Sequence, residues 1–180
     1  MRRAHFFVIG WIEHSQLPLY LRGLDVVVST SVRSWTETFC IANIEVMACG
    51  VPLITFGVGG IGEYVDLDSG AAGGYEQRTR NRTSEMGREG SDQISFSSPQ
   101  SQSLTSYFHD VEVLSNAILL HAVHPASIAA AVQILQENSS LREAMGRSGR
   151  ETVTRRFTLN RQMNQYAALY RDMRFMTVQR

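Results

Sequence analysis

The chain contains no lysine: all 17 of its basic residues are arginine, set against 17 acidic residues. That absence excludes chemistry that needs a lysine amine, such as Schiff-base formation or the lysine of a Walker P-loop. A formal net charge of zero leaves no global field to draw the protein to nucleic acid or anionic lipid, so nucleic acid is not an expected partner. No apolar run approaches the roughly 20 residues that span a bilayer. The stretch His5 to Ile12, which follows Arg2 and Arg3, is interrupted by Glu13 and reads as a strand, not a signal peptide. Cysteine is scarce too. Cys40 and Cys49 lie on what reads as one helix and, at about 100° per residue, point to roughly opposite faces, too far apart to bridge. Free thiols in a reducing compartment are expected, hence a cytoplasmic protein, with a peripheral position at a membrane left open.

What is present is enough for one globular domain: 180 residues, 43% hydrophobic and 19% charged, a composition outside the disordered range. His5 to Ile9 and Asp25 to Ser29 are apolar, largely β-branched runs, and Leu17, Tyr20, Leu21 and Leu24 fall between them at helical spacing. A helix from about Phe39 to Cys49 and a strand from Val51 to Phe56 follow, separated by the stop signal Gly50-Val51-Pro52. This alternation predicts an α/β fold, a Rossmann-like doubly wound parallel sheet, over residues 1–66. Residues 67–115 then turn to Arg, Glu, Gly, Ser and Gln, with six serines between Ser95 and Ser106. This is a long polar insertion whose composition predicts disorder. It holds the sequon Asn81-Arg82-Thr83, and a second stands at Asn138. Without a secretory signal neither is expected to carry sugar.

Residues 116–180 are expected to close the same domain. Ala117 to Leu120 reads as a short strand, Pro125 suits the first position of a helix, and Ile128, Val132 and Leu135 mark that helix's inner stripe. Ser140 with Glu143 predicts a capping box for the next helix, with Leu141, Met145 and Val153 inward. The final helix, from near Thr158, has the best periodicity in the chain at Leu159, Met163, Tyr166, Tyr170 and Met173. A stripe this regular has to pack against something.

The stretch richest in chemistry runs from Glu37 to Glu45. With Glu37 at a loop-to-helix junction and Glu45 two turns in, eight residues at about 1.5 Å each separate the carboxylates by roughly 12 Å along the axis, near the span of a nucleotide-diphosphate sugar. The amides of Phe39, Cys40 and Ile41 would form the helix N-terminus between them, a seat for a pyrophosphate. A carboxylate accepts two hydrogen bonds and suits a vicinal diol, so one glutamate could hold a sugar and the other a ribose. The competing reading is structural: a glutamate favoured by the helix dipole and another on a solvated face.

Gly57-Val58-Gly59-Gly60-Ile61-Gly62 matches the dinucleotide fingerprint, but the polar insertion follows where a second strand should stand, so Gly59 and Gly60 read better as a tight turn or cleft loop where backbone approaches a ligand, beside Glu63. His121 and His124 flank a strand end without evident Cys or carboxylate partners, and no metal site is expected. Ser29-Thr30-Ser31 reads as a polar loop at a strand's carboxyl end.

With those residues in view, Trp35 to Ile54 followed by Gly59-Gly60-Ile61-Gly62-Glu63 resembles the C-terminal domain of glycosyltransferase family 4, the retaining enzymes of GT-B fold also called glycosyl transferases group 1. The family's E-x7-E pair maps onto Glu37 and Glu45, and its small-Gly-x-Pro strand start onto Cys49 to Pro52. Phe7 to Trp11, Leu17 to Tyr20 and Asp25 to Val28 are similar to the preceding strand, helix and strand; Leu141 to Arg150 and Arg156-Phe157 are similar to the closing helices. The resemblance implies that Glu37 contacts donor sugar hydroxyls, Glu45 the ribose, and the Phe39, Cys40 and Ile41 backbone the sugar and diphosphate. It implies a nucleotide-sugar donor, an acceptor whose identity is open, and no metal or other cofactor.

The departures are also specific. The N-terminal domain and the first part of the C-terminal domain, with the family's Arg and Lys for the diphosphate, have no counterpart here. Cys40 stands where many relatives have Gly, and the insertion after Val65 is atypical. The leading expectation is therefore the donor-binding portion of a retaining glycosyltransferase, inactive without an N-terminal domain. The alternative is a non-catalytic relic or interaction module whose last helix meets a missing domain or a protein partner. A glycoside hydrolase using both glutamates fits less well, because roughly 12 Å exceeds the approximately 5 to 9.5 Å that its two carboxyl groups need.

Overall fold

The chain is described by a computed structural model over residues 6–33, 37–65 and 104–178. In order these form α1 (Leu17–Arg22), β1 (Val27–Val28), α2 (Ile41–Ala48), β2 (Leu53–Phe56), a 3-10 turn (Gly59–Glu63), a second 3-10 segment (Leu104–Asp110), β3 (Val111–Val113), β4 (Ile118–Leu120), α3 (Pro125–Glu137), α4 (Ser139–Arg156) and α5 (Leu159–Val178). The sheet has the order β1-β2-β4-β3. β1, β2 and β4 run parallel, with Val28 opposite Ile54 and Ile54 opposite Ile118. β3 is antiparallel to β4, Glu112 facing Leu119.

The period-2 geometry of a strand sorts the core into two layers. Leu53 and Leu119 face the layer that holds Val46 and Met47 of α2 with Ile61, Tyr64 and Val153. Ile54, Phe56, Ile118 and Leu120 face the other way, onto Ala131 and Leu135 of α3 and Met145 of α4. Helices on both faces of a mainly parallel sheet make this the expected α/β doubly wound arrangement. Strands buried on both faces also explain why Leu53 to Phe56 and Ile118 to Leu120 read as continuous apolar runs.

α4 crosses the amino ends of β2 and β4. A Cβ on Gly146 would collide with the carbonyl oxygen of Gly50, and one on Gly149 would lie 3.5 Å from that of Asn116. Arginine also serves as a helix C-terminal cap here. Arg150 Nη1 donates to Ala48 O at 3.0 Å, and Arg142 Nη1 donates to Gln136 O at 3.2 Å, each satisfying a carbonyl that its own helix leaves open.

Several expectations are corrected. Residues 6–12 form no strand, and Phe6 and Trp11 are 89% and 84% exposed. Among the described residues β1 pairs only with β2, so the run has no neighbouring ladder, and an unpaired strand cannot satisfy its backbone. Residues 104–113, assigned to the polar insertion, hold a 3-10 segment and β3, because the backbone of Val111 to Val113 completes the edge of β4. The remainder of the insertion, 67–103, lies outside the described residues, as do Trp35, His5 and the first sequon. The N-cap of α4 is Asn138, whose Oδ1 accepts from Leu141 N at 2.9 Å, and Ser140 is already helical; Asn is as good a cap as Ser and fits the third-residue amide one position earlier. Ile128 and Val132 sit at the margin of the α3 stripe, whose buried centre is Ser127, Ala130, Ala131 and Leu135.

Candidate functional site

Because β1, β2 and β4 are parallel, their carboxyl ends share one edge of the sheet. The segments that follow them are Ser29 to Ser31, Gly57 to Gly60 and His121 to His124, the edge where open α/β sheets bind ligands. Glu37 is fixed there on both oxygens. Oε1 accepts from Cys40 N at 2.6 Å and Phe39 N at 3.3 Å, while Oε2 accepts from Ser31 Oγ at 2.9 Å. The Ser31 hydroxyl, with the Cys40 and Phe39 amides, holds the carboxyl below the usual glutamate range, against a smaller opposing push from burial.

Phe39 and Cys40 precede α2, which opens at Ile41, and this corrects the helix expected from Phe39. Cys40 is its N-cap and has φ +54°, the one non-glycine residue with positive φ among those described. Side chains other than glycine are strained in that region. The turn it makes brings the Cys40 amide onto Glu37, which accounts physically for the glycine that the resemblance expects at this position. The estimate of roughly 12 Å also lapses. Glu45 is the fifth residue of a helix that Glu37 does not join, so the axial rise covers only the stretch from Ile41 onward. Ile41 stands on the outer first turn, 68% exposed.

The glycine loop packs against this turn. Gly60 N donates to Thr38 O at 2.7 Å, and a Cβ on Gly59 or Gly60 would collide with the carbonyl oxygens of Glu37 and Thr38, respectively. Gly59 and Gly60 thus make a close backbone approach as expected, but to the Glu37 loop itself. Behind them Asn43 Nδ2 donates to Tyr64 Oη at 3.0 Å and Thr55 Oγ1 at 3.2 Å. Phe39, Tyr64 and Phe157 meet edge to face, with ring centroids 5.3 to 6.3 Å apart. Burial pushes the Tyr64 phenol well above its ordinary pKa, so it stays neutral. These contacts join α2, the glycine loop and the end of α4 into one rigid support.

The structure therefore gathers Glu37, Phe39, Cys40, Gly59 and Gly60, and places Glu45 farther along α2, where its Oε1 meets His14 Nε2 at 2.9 Å. The Phe39 side chain faces inward, leaving only its backbone for the site. Two residues were not legible as part of it: Ser31, six positions before Glu37, and His14, 31 before Glu45. No spacing rule links either to its partner. His121, expected to lack a carboxylate, has Glu112 Oε2 2.7 Å from its Nε2, because the antiparallel pairing of β3 brings residue 112 alongside. His124 caps α3, Nδ1 accepting from Ala126 N at 3.1 Å. No group of three potential metal ligands occurs among the described residues.

A Rossmann-like half-fold with a carboxylate-bearing loop at its carboxyl edge is the class this geometry defines. Within that class, residues 2–74 match the family described as glycosyl transferases group 1, so the resemblance to that family is borne out over that segment. The fold is similar to that of sucrose-phosphate synthase from Thermosynechococcus elongatus, with a TM-score of 0.61 and 22% identity, over 92% of this chain and 29% of that one. The chain thus spans under a third of that neighbour's length. No curated protein matches the chain. No helix among the described residues is long and apolar enough to cross a membrane.

Proposed function

We propose that the chain supplies the donor-binding portion of a retaining glycosyltransferase that takes its sugar from a nucleotide diphosphate. The observation that carries this reading is the Glu37 loop: a doubly anchored carboxylate beside the amides of Phe39 and Cys40, at the carboxyl edge of a parallel sheet. In this reading Glu37 accepts hydrogen bonds from donor sugar hydroxyls, and Glu45 accepts from the ribose. The backbone of Phe39, Cys40 and Ile41 lies along the diphosphate. Backbone amides and the dipole of α2 stabilise the charge that develops on the departing diphosphate, so the chemistry calls for no divalent metal.

Calorimetric titration with UDP, GDP, ADP and their sugar conjugates tests it, with Glu45→Ala as control. Binding of one base series, insensitive to EDTA and weakened about tenfold or more in Glu45→Ala, is the expected result. A folded chain that binds none of them sinks the reading.

A second reading, an interaction module without turnover, is favoured by one observation. Leu159, Met163, Tyr166, Tyr170 and Met173 of α5 are all 54 to 70% exposed, apart from Tyr166 at 50%. The same titration separates the two, since a module of this kind need not retain nucleotide affinity.

A further inference from the structure

We propose that Ser31 is a positioning residue for Glu37, a role that rests on the donor-site reading above. The Ser31 hydroxyl holds Oε2 at 2.9 Å, while the amides of Cys40 and Phe39 hold Oε1. A carboxylate offers about four lone-pair sites; the Ser31 hydroxyl and the two amides take three of them, and the Cys40 thiol adds a weaker contact. A vicinal diol brings two more donors, so Glu37 can take both only if Oε1 gives up at least one amide.

Ser31 is the contact built to outlast that exchange. It comes from the segment that follows β1 (Val27–Val28), whose register is set by Ser29 N donating to Ile54 O at 2.8 Å. The amides, in contrast, belong to the same turn as Glu37. Anchored at Oε2, the carboxyl group can turn Oε1 from the loop amides to the sugar while staying ionised, and the amides become available to the donor phosphate. Among the described residues, Cys40, Tyr64 and Glu63 do not substitute for this hydroxyl. The Cys40 thiol also reaches Glu37 but is a weaker donor than a hydroxyl and belongs to the same turn, the Tyr64 phenol is tied to Asn43, and Glu63, whose Oε1 lies near Gly60, offers a carboxylate and not a hydroxyl. The backbone of the loop is tied as well, Glu37 N donating to Arg33 O at 3.2 Å.

Ser31→Ala, Ser31→Thr and Ser31→Cys in the 180-residue chain test the role by two measurements. In an NMR titration of the Glu37 side-chain carboxyl, the midpoint moves up toward the ordinary glutamate range in Ser31→Ala and stays in place in Ser31→Thr. In calorimetry, Ser31→Ala loses about tenfold in affinity for the sugar conjugate that binds, whether UDP-glucose, GDP-mannose or ADP-glucose, and little for the corresponding nucleoside diphosphate. Ser31→Thr restores the conjugate, and Ser31→Cys, close in size but a weaker donor, falls between and serves if Ser31→Ala does not fold. An unmoved midpoint, or equal losses on conjugate and bare nucleotide, overturns the role while leaving the donor site standing. Failure of the unaltered chain to bind any of these ligands removes the donor-site reading, and this role with it.

Discussion

The interior strands and the two flanking segments each carry an apolar run or stripe and end in opposite surroundings. Val51 to Phe56 and Ala117 to Leu120 are buried throughout, whereas Phe6 to Trp11 and the α5 stripe from Leu159 to Met173 are exposed. Intrinsic pattern does not separate them: α5 is about as amphipathic as α3, which does reach the core. What separates them is a neighbour of matching geometry. Leu53 and Ile54 have β1 and β4 on either side and helices above and below, while residues 6–12 meet no adjoining strand among those described. Periodicity says which face needs covering, and topology decides whether anything covers it.

If that comparison holds, substitutions where elements cross should have the largest effects. Gly146→Val places a branched side chain against the carbonyl oxygen of Gly50, where α4 crosses the amino end of β2. Neither partner can yield, since both contacts are backbone. A loss of about 3 kcal/mol is expected from urea unfolding. A midpoint within experimental scatter of the parent would mean that α4 does not close the domain in this way.

Tyr64→Phe probes the support behind the site and should cost less, about 1 kcal/mol. Asn43 loses the Tyr64 oxygen but keeps Thr55 Oγ1 at 3.2 Å. The pH dependence is more diagnostic. Burial raises the Tyr64 pKa in the folded protein, while the unfolded chain ionises near the ordinary value of about 10. The unfolded state therefore releases its proton first, so the stability associated with Tyr64 is complete below about pH 10 and declines as pH rises beyond it. Tyr64→Phe should flatten that alkaline decline, and an unchanged slope between the two proteins would place Tyr64 in a wetter setting than the structure gives it. Glu37 has the opposite sign. Its pKa is lowered, chiefly by Ser31, so its contribution is present above the unfolded glutamate pKa and lost as pH falls through the folded value.

The contrast between covered and uncovered elements also marks how much of the molecule was legible in its sequence. The parallel sheet followed from apolar runs separated by helical spacing, and the positions of Glu37, Glu45 and the glycine loop followed from a motif. The missing strand at residues 6–12 was not legible, because a strand's existence depends on a neighbour that its own residues do not encode. β3 was hidden for the reverse reason: Val111-Glu112-Val113 is too short to show a period and becomes a strand through its pairing with β4. Within the site, the departure at Cys40 was visible as an unusual residue, but only the backbone at φ +54° shows what the turn requires. Ser31 carried no signal at all, since its partnership with Glu37 depends on how the chain returns after β1.

The smallest effect is expected on the exposed apolar stripe of α5. Met163 and Tyr166 are 58% and 50% exposed on α5, so replacing both with serine removes little buried area and should change stability by no more than about 0.5 kcal/mol. A few tenths could come from side-chain pairs three and four apart along the helix. Met145, on α4 and 1% exposed within the Ile118 and Leu135 layer, is the matched control, and Met145→Ala should cost about 2 to 4 kcal/mol. Denaturant unfolding of the three proteins at low concentration makes the comparison directly. Equal losses in the α5 double variant and in Met145→Ala would mean that the α5 stripe is covered in solution, and the distinction between buried strands and uncovered helix would fail at the element that shows it most clearly.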